Sequence, residues 1–258
     1  MSGEGAVTSA RRQLPLHLFT AAVIALWAAL AAFLPAYVLP GPAEVARGLV
    51  RFLLAPPMLL HLALSLGHVA AALFFSFLLG SGLALLAHYA PACRLMVHGR
   101  IGPFLNAFSG VGWTFVAILW FGLSDATVIF AIAVLLVPFA IVNIGAGLDG
   151  LDRELVEMGR SFGRRRGAEF RRIVLPALYP YVFATLRTGF GVAWKVALTA
   201  ELFGGNAGLG YLVNIARQDY NTPLILVVIL LMMAIVYLVD RQLLAPLQAR
   251  LGRHYGAA

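Results

Sequence analysis

Lysine occurs once in this 258-residue chain, cysteine occurs once, and charged residues of both signs together make up only 12%. Each scarcity excludes something. With Cys93 alone no intrachain disulfide can form, and without C-x-x-C or H-E-x-x-H spacing no metal site is expected. With Lys195 alone, in GFGVAWKVALT, there is no G-x-x-x-x-G-K-[ST] phosphate loop. The chain is therefore not expected to hydrolyse nucleotide, and energy for any active process must come from another subunit. No apolar segment places a nucleophile beside a histidine base. Asp125 and Asp149 sit at expected helix ends, where capping accounts for them. An enzyme is not expected.

What is abundant is apolar: 61% of residues are hydrophobic, and mean hydropathy is +0.89. That composition predicts one integral membrane domain built of helices. The net charge of +8 does not imply nucleic acid. The basic residues cluster between apolar stretches, which is the signature of topology in a bilayer. MSGEGAVTSARRQ lacks a signal-type cleavage site after the apolar run. It reads as a cytoplasmic tail, residues 1–13, with Arg11 and Arg12 as the inside anchor.

Residues 14–258 then read as a single transmembrane domain. A span needs about 20 mainly apolar residues. Six candidates meet this: Leu14 to Leu39, Leu60 to Tyr89, Pro103 to Phe121, Ala126 to Leu148, Ala177 to Phe203, and Pro223 to Leu244. Six spans put both termini inside, together with the arginines of the Ala90–Gly102 connection, of the central segment and of the tail. Only Arg47, Arg51 and Arg217 fall outside. Pro42-Ala43-Glu44 opens a short amphipathic helix through Leu54, with Arg47 and Arg51 on its wet side. Gly80 and Gly82 allow close backbone approach and mark a helix contact. His61 and His68 admit a proton-linked or substrate-facing role, or plain interfacial hydrogen bonding. Gly110 and Gly112 supply a bend in the third span, and Pro138 a kink in the fourth. The glycines of GGNAGLGYLVNIARQDYN follow no strand, so they are not a nucleotide fingerprint.

Between the fourth and fifth spans lies the longest polar run, residues 149–176, with seven arginines among five acids. Asp152 is placed to cap a short helix through Phe162, with Glu154 in the first turn. Leu155, Met158 and Phe162 fall at i, i+3 and i+7, on one face. Gly163 offers the positive φ at which a helix stops and the chain turns. A second helical piece follows to Leu175, and Pro176 marks the junction with the fifth span. The plain alternative is an arginine-rich cytoplasmic loop with no further role.

Glu157-Met158-Gly159, three residues, Gly163, nine residues, and Ile173-Val174-Leu175-Pro176 resemble the "EAA…G…I-LP" loop of ABC-importer permeases, with Met158-Gly159 where the family has Ala-Ala. Leu39-Pro40-Gly41-Pro42-Ala43-Glu44-Val45, Ile118-Leu119-Trp120-Phe121-Gly122 and Gly208-Leu209-Gly210-Tyr211-Leu212 are similar to further segments of the branch handling nitrate, sulfonates, taurine and bicarbonate. The resemblance implies the type I importer permease fold and a multi-pass subunit of the bacterial inner membrane. It implies pairing with a second permease subunit, a copy of this chain or a paralogue, and with two ATPase subunits that hold ATP and magnesium. An extracytoplasmic binding protein would supply the solute, and this chain would bind no cofactor. Leu155, Glu157, Met158, Gly159, Phe162, Gly163, Ile173, Leu175 and Pro176 would be the coupling residues that dock the ATPase.

The fifth span carries Arg187, Lys195 and Glu201. An ionisable group at a helix centre costs about 2.5–3.5 kcal/mol on insertion scales, so such groups face a partner or a wet path. Arg187, Gly191 and Lys195 recur every four residues along one face, and Glu201 is rotated away from it. Two cations on one stripe favour a small anion, and the resembled branch implies one such as nitrate, a sulfonate or taurine. Snorkelling or pairing with a neighbouring helix is the alternative for the cations, and gating or pairing with Arg217 for Glu201. A secondary transporter working without an ATPase remains the competing function.

Overall fold

The computed structural model describes residues 4–151 and 170–248. Leu155, Glu157, Met158, Gly159, Phe162 and Gly163 lie outside the described residues. The described backbone is helical: α1 (Glu4–Phe33), α2 (Pro42–Leu54), α3 (Pro56–Tyr89), α4 (Pro91–Met96), α5 (Gly102–Asn106), α6 (Gly110–Phe121), α7 (Asp125–Asp149), α8 (Leu175–Gly204), α9 (Leu209–Gln218) and α10 (Thr222–Val239). Single π-helical turns at Val97–Ile101, Phe170–Val174 and Asp240–Leu244 join or extend these helices.

Three of these helices, with α10 continued to Gln248, are long and apolar enough to cross a membrane. α8, at 30 residues, is also long enough, at about 1.5 Å per residue. α1 carries an apolar stretch as well, Leu18–Phe33 among the residues whose side chains are described. The expected third span is not one straight helix. Pro91–Asn106 and Gly110–Phe121 meet at 90°. The cause is local: Ser109 adopts extended backbone, and its hydroxyl accepts from the Gly112 amide at 3.3 Å, so α6 begins afresh there. The expected Ala90–Gly102 loop is helical as well. α1 stops two residues before Pro35 rather than running to Leu39, because the residue preceding a proline disfavours helical backbone.

The chain forms two compact units. The first comprises Met1–Leu59 with Ile215–Leu231. In it α2 packs on α10 through Gly48, where a Cβ would lie 2.8 Å from Val227 Cγ2. The Trp27 indole donates to Pro40 O at 3.1 Å, and the Thr222 hydroxyl donates to Tyr37 O at 2.6 Å.

The second unit comprises Leu60–Asn214 with Met232–Ala258. Its centre is α7, with fourteen of 25 residues buried, packed against α8, α6 and α3. Apolar contact between helices gains nothing over lipid in a bilayer, so close van der Waals fit decides pairing. Gly80 provides it: a Cβ there would stand 2.4 Å from Ala140 Cβ and 2.8 Å from Val137 O. Gly82 faces open space and marks no contact. The α6–α7 turn uses Gly122 at φ +67, then Ser124, which caps α7 by accepting from the Thr127 amide at 3.4 Å. Many large apolar side chains, among them Phe74, Leu78 and Leu119, face outward, as a lipid-facing surface requires.

Candidate functional site

The two ends of the 149–176 segment enter the described structure from one apolar cluster. Ile144 and Leu148 at the end of α7 pack with Val174, Leu178 and Ala84, all at most 3% exposed, and with Leu151 and Phe170 around them. Gly147 lets the α8 side chains in: its Cβ would lie 2.7 Å from the Tyr181 ring. The backbone is helical straight through Leu175 and Pro176, which sits in the first turn of α8. Ile173 and Pro176 are half-buried and Leu175 is exposed. Asp149 is not a cap. It is the last residue of α7, at the helix end where a carboxylate is least favoured, and it pairs with Arg94 at 3.2 Å.

On α8 the structure separates the four pathway candidates. The Arg187 guanidinium grips both oxygens of Asp240, at 2.7 and 3.0 Å, and also donates to Gln248 Oε1. A bidentate pair of this kind neutralises the cation within the protein. Gly191 faces open space, and Lys195 is exposed with no ion pair among the described residues. Glu201 lies on the opposite, buried stripe with Ala193, Ala197 and Ala200.

Glu201 is completely buried, and donors surround it. Ser65 Oγ and the Gly210 amide both donate to Oε2 at 2.8 Å, and His68 Nδ1 lies 2.9 Å from Oε1. The first amides of a helix have no partner within it and must find one elsewhere. In α9 that need is met by side chains from other helices. Gly208 N–H donates to His61 Nδ1 at 3.1 Å, Leu209 N–H to Ser65 Oγ at 2.7 Å, and Gly210 N–H to Glu201. A carboxylate at a helix N-terminus also complements the macrodipole. The glycines are there for steric reasons. Gly208 holds φ +104, and a Cβ on it would stand 2.4 Å from Glu201 Cδ; one on Gly210 would stand 2.4 Å from Leu198 O. The amides of the Gly-rich stretch are thus spent on the protein's own groups.

Two expectations change at this site. Asp125 opens α7 but does not cap it, since Ser124 does; its carboxylate instead lies 3.2 Å from His68 Nε2. His61 also stacks on Tyr211, with ring centroids 6.0 Å apart. Both histidines are in hydrogen-bonding contacts. Sequence reasoning picked out Glu201, His61 and His68 singly but missed Ser65 and the connection between them. The available signal was Gly208-Leu209-Gly210, a motif whose glycines announce a close neighbour without naming it. Among the described residues no three His, Cys, Asp or Glu side chains converge to hold a metal.

Residues 22–244 match the family described as binding-protein-dependent transport system inner membrane component. The putative aliphatic sulfonates transport permease protein SsuC of Bacillus subtilis is 29% identical over 80% of this chain and 75% of its own length. A probable ABC transporter permease protein of Brucella melitensis is 30% identical over 81% and 85%. The Escherichia coli taurine transport system permease protein TauC is 27% identical over 76% and 70%. In fold, the chain resembles the MetNI methionine ABC transporter in an inward-facing conformation, at a TM-score of 0.64 and 18% identity over 78% of this chain and 99% of that one. This agreement over residues 22–244 sets aside the secondary-transporter alternative: the chain belongs to the binding-protein-dependent transport system inner membrane components and is the permease subunit of an ABC importer with the type I fold.

Proposed function

We propose that this subunit conducts a small anion of the sulfonate type, delivered by an extracytoplasmic binding protein, along a path shared with a second copy of itself. The observation that carries the anion is the state of α8. Arg187 is neutralised by Asp240 and Glu201 is sealed away, while Lys195 stays exposed one turn from the uncrowded Gly191. One cation on an open face raises the local potential for an anion. Relatives named for aliphatic sulfonates and for taurine support the same class. Glu201 serves the path indirectly, by holding α9.

Energy enters from a separate pair of ATPase subunits that bind ATP and magnesium, while this chain binds no cofactor and hydrolyses nothing. The absence of a phosphate loop supports this division. The ATPases dock on Leu155, Glu157, Met158, Gly159, Phe162 and Gly163, with Ile173, Leu175 and Pro176 continuing the segment into α8. Docking moves the spans only insofar as it binds one of their arrangements better than the other. Both termini lie in the cytoplasm, which leaves the arginine-rich segments inside.

The test is uptake of taurine, ethanesulfonate and nitrate by the full complex reconstituted with its ATPase and binding protein. Lys195→Gln lowers uptake about tenfold or more through loss of electrostatic attraction, and Lys195→Arg retains most of it. Unchanged uptake in Lys195→Gln would overturn the anion assignment.

A further inference from the structure

His68 is 4% exposed and sits between two carboxylates from different helices. Its Nδ1 is 2.9 Å from Glu201 Oε1, and its Nε2 is 3.2 Å from Asp125 Oδ1. Neutral imidazole has one donor and one acceptor, and imidazolium has two donors. Glu201 offers only acceptors when ionised, so the Nδ1 proton is committed to it. A neutral ring would then point its Nε2 lone pair at an oxygen of Asp125, acceptor against acceptor. With both carboxylates ionised, only the doubly protonated ring turns an N–H to each of them. The Nε2 contact is within ion-pair distance but off the hydrogen-bond axis, so this half of the chain is the weaker one. It is also the half open to solvent, because the Asp125 side chain is 53% exposed and that of Glu201 not at all.

We propose that Asp125, His68 and Glu201 form a proton-operated clasp at the end of the bundle away from the 149–176 segment. With His68 as imidazolium, the clasp holds the α6–α7 turn against α3. Loss of the Nε2 proton releases the turn. Glu201, still bound by Ser65, Gly210 and the Nδ1 proton, keeps α9 in place. The titratable groups meeting this network are Asp125 from α7, Glu201 from α8, His61 from α3 and Tyr211 from α9. His61 accepts from Gly208, so its own protonation would act on α9 and not on the turn. The turn has a second tether, the Ser124 amide on Gly204 O at 3.1 Å, which opens more often once the clasp is released but is not lost, so release loosens the turn without unfolding it.

The inference does not depend on which solute is carried, and it can be tested on the full chain in lipid nanodiscs. Backbone hydrogen exchange is measured at about pH 6 and about pH 8.5, on either side of the ordinary imidazole range, and corrected for intrinsic rates. In the natural protein the Ser124 and Val128 amides lose protection by about two- to fivefold at the higher pH, the effect of one lost, partly exposed ion-pair contact, while Gly210 keeps its protection. Asp125→Asn places an amide donor opposite the neutral ring and protects the turn at both pH values. Asp125→Ala leaves the turn unprotected at both. Asp125 is exposed at a helix start, so neither change threatens folding. A pH step that persists in these variants would overturn the clasp, as would its absence from the natural protein or Gly210 losing protection in step with Ser124.

Discussion

Where α7 begins, directional bonds from Ser65, His68 and the Gly210 amide converge on the buried Glu201 carboxylate. Where α7 finishes, α3, α7 and α8 meet through Ala84, Ile144, Leu148, Val174 and Leu178, which bring no side-chain polar atom to the contact. Arg94 pairs with Asp149 at that end, and both side chains are exposed. Hydrogen bonds in a low-dielectric setting lose most of their strength when displaced or misaligned, whereas apolar packing constrains distance far more than direction. One end of the bundle is therefore fixed in register, and the other is held by contacts that tolerate rotation. The tolerant end adjoins the segment proposed to receive the ATPase, and the fixed end carries the α9 helix.

The contrast breaks most visibly at Glu201. Glu201→Leu strands the buried donors of Ser65, His68 and Gly210, and should cost about 3–5 kcal/mol, the scale for removing one member of a buried charged set. Thermal unfolding of the detergent-solubilised chain reads this directly, and a loss no larger than that of a surface change would erase the distinction. At the other end, Leu148→Ala leaves a cavity and should cost about 2–4 kcal/mol in the same assay. Arg94→Gln should cost less than about 1 kcal/mol, because exposed ion pairs contribute little. If Arg94→Gln matched Leu148→Ala, charge and not packing would hold the end nearest the segment.

These two ends were not equally legible. The apolar one follows from periodicity, since Ile144 and Leu148 lie one turn apart in an obvious span, and α2 was readable from Pro42 through Leu54. The break before α6 was half legible: Gly110 and Gly112 signalled a bend, but hydropathy runs on through them, and hydropathy sets the apparent span. The Glu201 network was not legible. Its members come from four helices, with Ser65 and Glu201 136 positions apart, and no period links them. Arg187 and Asp240 were hidden for the same reason, since a partner on another helix leaves no trace in local spacing. Charge in a span announced that partners exist, and only the fold could say which.

The most direct test of the account is binding-protein-stimulated ATP hydrolysis by the complete importer carrying Gly163→Val. A β-branched residue strains the positive-φ turn assigned to that position from the sequence. The account predicts that basal hydrolysis persists while stimulation by the loaded binding protein, and uptake with it, is lost. Stimulation and uptake at the level of the natural protein would contradict the claim that force reaches the spans through the 149–176 segment.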